Sequence, residues 1–137
     1  MKKLLIPILS VSLLIAGCKT APTDTQITLA SALAARVSFT LIPASHRQPV
    51  AGYMFYAGSV IYALTDSPTP DGLTQLLLNV VPANDLASFP EIKTLIIPAV
   101  VDVYTSYYNQ YSGDHTKLLK ILQDIASGVQ SIAAQYK

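Results

Sequence analysis

The residue types that most often carry chemistry are sparse in this 137-residue chain. It has one cysteine, Cys18, and two histidines, His46 and His115, which do not form the His-x-x-x-His spacing of a helical metal site. Glu91 is the only glutamate, and Ser88-Phe-Pro-Glu91 is typical of a capping box at a helix start. The sequence contains no nucleophile motif and no glycine-rich phosphate loop. It therefore predicts neither an enzyme nor a metal site.

Cys18 stands at the end of a segment with the layout of an export signal. Lys2 and Lys3 give a positive start, residues 4–15 form an apolar stretch, and small residues precede the cysteine. As a helix, this stretch would span about 18 Å, which is too short for a hydrocarbon core of about 30 Å. The segment therefore predicts a cleaved leader, residues 1–17, rather than a permanent membrane span.

The four residues Ile15-Ala-Gly-Cys18 resemble the lipobox of bacterial lipoprotein precursors, in which an aliphatic residue and two small residues precede the cysteine. The resemblance implies that a diacylglyceryl group alkylates the Cys18 thiol. It also implies that a lipoprotein signal peptidase recognises Ile15, Ala16 and Gly17, cuts before Cys18, and leaves an α-amine that is often acylated. Two or three lipid chains anchor a protein stably. No cofactor is expected apart from this covalent lipid.

Two other interpretations of the segment remain open: an ordinary secretory signal, and a buried amino-terminal helix with an inert thiol. For a lipoprotein of enteric-type bacteria, an aspartate after the cysteine favours retention in the inner membrane. That residue is Lys19, so the resemblance implies the periplasmic face of the outer membrane. Residues 18–23 would then form the lipidated cysteine and a short tether, and residues 24–137 would form the domain.

The charge balance gives no footprint for nucleic-acid binding. Of the nine Lys and Arg residues, two lie in the predicted leader, so seven remain against eight acidic residues, and they do not cluster. One cysteine cannot form an internal disulfide, so the fold must rest on its apolar core.

The first two predicted helices follow from caps, prolines and apolar spacing. A capping box over residues 23–26 starts the first helix and Pro43 ends it. Its predicted inner face consists of Ile27, Ala30, Ala34, Val37 and Leu41. After a connector, Pro49 opens a second helix, residues 50–64, which carries no charge. A strand or a short membrane span also fits this run, but a buried helix is preferred, in which three small residues allow close contact: Gly52, Ala57 and Gly58.

The third and fourth predicted helices are bounded in the same way. Thr69 caps the third helix, and Pro82 stops it before a loop over residues 84–88. The fourth helix starts at the capping box described above, is kinked at Pro98 and continues to about Tyr111.

The last predicted helix gives the strongest periodic signal in the chain. Gly113 ends the helix before it, and Asp114 caps it. Its apolar residues alternate spacings of four and three: Leu118, Leu122, Ile125, Val129, Ile132 and Tyr136. The predicted fold class is therefore all-α, a small irregular bundle of about five helices.

Tyrosines recur at i, i+3, i+4 and i+7 on one face of the fourth predicted helix: Tyr104, Tyr107, Tyr108 and Tyr111. Three more lie on the second helix, namely Tyr53, Tyr56 and Tyr62. Such rings either fill the edge of the bundle with their hydroxyls in water or form a contact surface, because tyrosine is enriched in interface hot spots.

These features favour a lipid-anchored, non-enzymatic envelope protein that binds another envelope protein. Small helical lipoproteins with such roles include pilotins, which escort secretins, and exclusion or immunity lipoproteins; the analogy is architectural. The alternatives are a structural lipoprotein that self-associates through the seam of residues 118–136, and a carrier whose charge-free second helix lines an apolar cavity. An enzyme would require a pocket with His46 or His115 beside a carboxylate.

Overall fold

Caps, prolines and tertiary contacts together set the helix boundaries in the computed structural model, which describes residues 24–137. The helices are α1 Asp24–Leu41, α2 Ala44–Tyr62, α3 Pro70–Val80, α4 Ala83–Ser88, α5 Ile97–Tyr108 and α6 His115–Tyr136, with a π-helical turn, Ile92–Ile96, before α5. No strand occurs within residues 24–137. The all-α prediction is confirmed. The predicted leader, lipobox and tether, residues 1–23, lie outside the described residues.

Helix α6 is the central element, and it packs most extensively against α1 and α2. The Asp114 carboxylate caps it by accepting a hydrogen bond from the Lys117 backbone N–H at 3.1 Å. All but one of the predicted seam residues are buried, namely Leu118, Leu122, Ile125, Val129 and Ile132, while Tyr136 is half-buried. The seam is therefore the inner face of α6 within one copy of the chain.

Gly128 brings α6 and α1 into backbone contact. A Cβ atom added there would lie 2.3 Å from the Thr28 carbonyl oxygen and 2.9 Å from the Ala32 nitrogen. The contact between α2 and α6 at Gly58 is different, because an added Cβ would meet the side chain of Gln130 at 2.5 Å. The prediction that Gly52 also allows close packing is wrong, because no atom lies within 4 Å of a Cβ added there.

The buried face of α1 differs from the one that the sequence predicted, because α1 packs closely on α6. The buried residues are Ile27, Ser31, Ala35, Ser38 and Phe39, followed by Ile42 just after the helix, so most of the predicted inner face is shifted by about one position. The two serines are satisfied within the helix, since each hydroxyl donates to a carbonyl four residues back at 2.9 Å. Small, internally bonded serines are compatible with the short distance to α6.

Helix α2 begins earlier than predicted, because the expected connector before Pro49 is already helical. Pro43 stands at its N-cap, and Pro49 lies inside the helix. The guanidinium of Arg47 fixes this corner: its Nε donates to the carbonyl oxygens of Phe39 and Ile42, both at 3.0 Å. These carbonyls lie at and just after the end of α1, where backbone carbonyls lack the usual N–H partner four residues on, although the Phe39 carbonyl oxygen also accepts from the Ile42 N–H at 3.3 Å. Arg47 thus joins the end of α1 to the start of α2.

The segment after α3 departs most from the sequence prediction. Thr69 caps α3 as expected, accepting a hydrogen bond from the Gly72 N–H at 3.0 Å. The expected loop over residues 84–88 is the short helix α4, and Ser88 donates to the Asn84 carbonyl instead of capping the next helix. Residue 91 is therefore not part of a capping box.

Pro98 affects the helix that follows in a way the sequence did not predict. The structure has a π-helical turn just before Pro98, in which the Ile97 N–H donates to the Ile92 carbonyl, and Pro98 lies in the first turn of α5. A proline ring clashes with the carbonyl four residues back, and a widened turn relieves that clash. Helix α5 then ends at Tyr108, earlier than predicted, and the positive φ of 90° at Gly113 lies in the turn before α6.

None of the helices described by the structure is long and apolar enough to cross a membrane. This includes α2, for which the sequence left a short membrane span as an alternative.

Candidate functional site

The tyrosine stripe of α5 is divided between core and surface. Tyr104 and Tyr107 are buried, and the Tyr104 hydroxyl donates to the Pro68 carbonyl at 2.7 Å. Burial, with a smaller contribution from Tyr108, raises the pKa of Tyr104 to about 12. Tyr108 and Tyr111 are half-exposed. The prediction of a four-tyrosine contact face is therefore corrected: α5 packs on α3 and α6, so two of the rings are core residues.

Helix α2 carries the larger exposed tyrosine surface. Tyr56 is 59% exposed and Tyr62 is 43% exposed, although the Tyr62 hydroxyl also bonds to Ser127. We define the α2 face as the exposed residues at and just after this helix: Ala44, Ser45, Gln48, Gly52, Tyr56, Ser59, Tyr62 and Ala63. It contains no charged residue. The third tyrosine, Tyr53, is used internally, because its hydroxyl donates to Asp85 and this hydrogen bond raises its pKa.

Helix α1 exposes a different set of side chains. We define the α1 face as the exposed positions Thr25, Gln26, Leu29, Leu33, Arg36 and Thr40. Leu29 is 59% exposed and Leu33 is 36% exposed. Neither leucine was predicted as a surface feature, although a leucine pair at i and i+4 outside the predicted inner face is a visible signal. The single charge on this face is Arg36, whose Nη2 donates to Gln135 at 3.3 Å.

His46 and Glu91 meet at the corner between α2 and the π-helical turn. His46 Nδ1 lies 3.2 Å from Glu91 Oε1, and the imidazole packs edge-on against Phe89 with ring centroids 5.1 Å apart. The second carboxylate oxygen of Glu91 is buried without a hydrogen-bond partner in the described part of the chain. A histidine beside a carboxylate can transfer protons. Here the contacts of the pair join two segments of the bundle, which is a structural role.

Ser67, His115 and Asp66 bring together the residue types of a catalytic triad without its geometry. Both partners approach the same nitrogen, because His115 Nδ1 lies 2.6 Å from Ser67 Oγ and 3.5 Å from Asp66 Oδ1. A triad requires the serine on one ring nitrogen and the carboxylate on the other. The side chains of His115 and Asp66 are also 66% and 84% exposed. This arrangement is a solvated hydrogen-bond cluster.

Where α2, α3, α5 and α6 meet, the core offers little room for a ligand. A cavity of about 10 Å³ lies among α2, α3, α5 and α6, lined by residues such as Met54, Ile61, Leu77 and Val129. This volume is close to the space needed by a single water. Within residues 24–137 no three metal-ligating side chains are grouped. Asp102 and Ser106 on α5 and Asn109 at its C-cap are all exposed.

The chain matches no protein-family model, no curated protein and no solved structure at a significant level. The predicted lipidation residue Cys18, and the recognition residues Ile15, Ala16 and Gly17, lie outside the described residues. Function must therefore be inferred from their sequence pattern and from the surfaces of α1 and α2.

Proposed function

We propose that this protein is a lipid-anchored, non-enzymatic lipoprotein of the bacterial envelope that binds another envelope protein through the α2 face. The lipobox-like sequence ending at Cys18 supports the anchor. Lys19 stands where an aspartate would favour retention in the inner membrane, so it supports a location on the periplasmic face of the outer membrane. The role would be similar to that of a pilotin or of an exclusion or immunity lipoprotein, which act by contact with another protein.

The observation that carries the binding role is the composition of the α2 face. Protein interfaces are depleted of charge at their centre and enriched in tyrosine, whose ring covers a large area while its hydroxyl remains able to bond. The α2 face combines both properties, because Tyr56 is 59% exposed and none of the eight residues is charged. The Lys137 ammonium lies beside this helix, 4.0 Å from the centroid of the half-buried Phe55 ring. Gly52, open to solvent one turn away, leaves room for a partner side chain beside the ring.

The two alternatives derived from the sequence have less support. Self-association through the last helix would require residues that are buried against the rest of the bundle, such as Leu122 and Ile125. The cavity among α2, α3, α5 and α6, at about 10 Å³, is far smaller than a site for an apolar ligand requires. A second copy of the chain could also dock on the α2 face, and the binding experiment below distinguishes it from a different protein.

The binding role is tested by capture of partners with the acylated, detergent-extracted protein, followed by titration of the purified partner. Replacing Tyr56 by Ala should weaken binding by about 30-fold, the effect of losing a hot spot of about 2 kcal/mol. Leu29→Ala is the matched control, because Leu29 is also 59% exposed but belongs to the α1 face. Equal affinities of both variants and the wild type would remove the α2 face from the proposal. If the captured protein is a second copy, the role is self-association.

The anchor is tested independently with Cys18→Ala. This variant should incorporate no labelled fatty acid and should accumulate as uncleaved precursor. Processing of the variant at the same bond as the wild type would contradict the proposed lipidation.

A further inference from the structure

The α1 face combines two exposed leucines with one basic residue and no carboxylate. At 100° per residue, its six positions fall within about 100° of each other around the helix, so they form one continuous stripe. Leu29 and Leu33 lie one turn apart in the middle of this stripe, and Arg36 follows one turn after Leu33. A stripe of this composition suits an interface between water and lipid, where apolar groups are buried and basic groups meet anionic headgroups.

The length of chain before α1 places this stripe close to the proposed anchor. Six peptide units separate Cys18 from Asp24, the first residue of α1, and they can span at most about 21 Å. Leu29 lies about 7.5 Å further along the helix. The tether also carries Lys19 and no acidic residue. A lipid on Cys18 therefore keeps the leucines of α1 within reach of the headgroup region.

We propose that the α1 face lies on the bilayer surface, with Leu29 and Leu33 inserted into the headgroup region and Arg36 at the level of the phosphates. This inference rests on the proposed lipid anchor and adds a second contact with the membrane. Two partly exposed leucines are too small an apolar surface to bind a membrane alone. The covalent anchor makes their contact intramolecular and so raises their effective concentration at the surface.

This orientation also assigns different roles to the two long outer helices. Both α1 and α2 pack extensively on α6, whereas they make few contacts with each other. Membrane contact through the α1 face leaves the uncharged α2 face available to a protein partner. A second copy is a less suitable occupant of the α1 face, because a symmetric pairing along the stripe would offer Arg36 no opposing carboxylate.

The single cysteine of the chain allows a direct test. In the acylated protein Cys18 is blocked, so an introduced cysteine is the only thiol that an environment-sensitive fluorophore can label. Leu29→Cys would report on the α1 face, and Gly52→Cys, at an open position of the α2 face, is the matched control. The labelled, acylated proteins are reconstituted into vesicles of phosphatidylethanolamine and phosphatidylglycerol that contain lipid with a shallow doxyl quencher.

The label at residue 29 should be blue-shifted and quenched severalfold more strongly than the label at residue 52. Adding Leu33→Gln and Arg36→Gln to the Leu29→Cys protein should reduce that quenching. Equal quenching at residues 29 and 52 in acylated protein would overturn the membrane-facing orientation while leaving the anchor intact. Labelling of the wild type, whose only thiol is Cys18, would instead show that the anchor itself is absent.

Discussion

Helices α1 and α2 are similar in length and share α6 as their main partner, but they differ in how they meet it and in what they expose. Helix α1 contacts α6 backbone to backbone at Gly128, whereas α2 meets it through the Gln130 side chain at Gly58. Outward, α1 exposes two leucines and an arginine, and α2 exposes tyrosines and small polar residues. One core partner can thus support two surfaces with different chemistry, and the tightness of each core contact determines which substitutions it tolerates.

Replacing Gly128 and Gly58 by alanine should show most clearly how the α1–α6 and α2–α6 contacts differ in rigidity. Gly128→Ala forces a Cβ to within 2.3 Å of the Thr28 carbonyl oxygen, a backbone atom that can move only if α1 shifts. We expect a loss of at least about 2–3 kcal/mol in the free energy of unfolding, measured by urea denaturation.

Gly58→Ala is the matched control on the α2 side. The added Cβ meets the flexible side chain of Gln130, which can turn away at the loss of its hydrogen bond to the Phe55 carbonyl. Alanine also favours a helix over glycine by about 1 kcal/mol. The two effects should nearly cancel, so the stability should change by less than about 1 kcal/mol. Similar losses for both variants would show that the two contacts are equally rigid.

Substituting Arg47, at the corner that joins α1 to α2, should cause a second and smaller loss of stability. Arg47→Ala removes the donor shared by the Phe39 and Ile42 carbonyls and should cost about 1.5–3 kcal/mol. Arg36→Ala removes an exposed arginine bonded only weakly to Gln135, so its effect should stay within about 0.5 kcal/mol. Thermal unfolding of the two variants separates these values. No difference between them would mean that the Arg47 contacts do not stabilise the corner.

Substituting a tyrosine should change the free energy of unfolding by still less, and the effect should differ between buried Tyr104 of α5 and exposed Tyr56 of α2. Tyr104→Phe loses the hydrogen bond to the Pro68 carbonyl and should be less stable by about 1 kcal/mol at pH 8. The raised pKa means that Tyr104 ionises in the unfolded chain near pH 10 but in the folded chain only near 12. The wild type therefore loses stability as the pH rises from 10 towards 12, which the phenylalanine variant cannot do through this residue.

The stability difference between wild type and Tyr104→Phe should accordingly shrink above about pH 10, as measured by urea denaturation at several pH values. A difference that stays constant up to about pH 11.5 would mean that burial does not suppress the ionisation of Tyr104. Tyr56→Ala should leave the stability unchanged at neutral pH, because more than half of that side chain is exposed.

Local signals in the sequence predicted part of this architecture well. Thr69 and Asp114 cap their helices with their own side chains, so α3 and α6 could be located from a few neighbouring residues. The seam of α6 follows from its periodicity. The π-helical turn could not be predicted in this way, because it depends on how Pro98 is accommodated. Helix α4 has no side-chain cap that would mark its start in the sequence.

The surfaces were harder to predict than the helices. Tyr104 and Tyr56 are equivalent in type, yet one is buried and the other is 59% exposed. Only the packing of α5 on α3 and α6 makes that distinction. The leucines of α1 were missed for the same reason, since Gly128 determines which side of α1 faces the core. Cys18, in contrast, stands in a linear pattern, so its predicted lipidation depends on neighbouring residues alone.

The proposed envelope role depends on Cys18 being the lipid-bearing first residue of the mature protein, and intact-mass spectrometry of the protein extracted from bacterial membranes can decide this. We expect a chain of residues 18–137 whose mass exceeds that of the peptide by a diacylglyceryl group, with or without a further acyl chain. A mass that corresponds to an unmodified Cys18 thiol, or to cleavage at a different bond, would contradict the proposed lipidation.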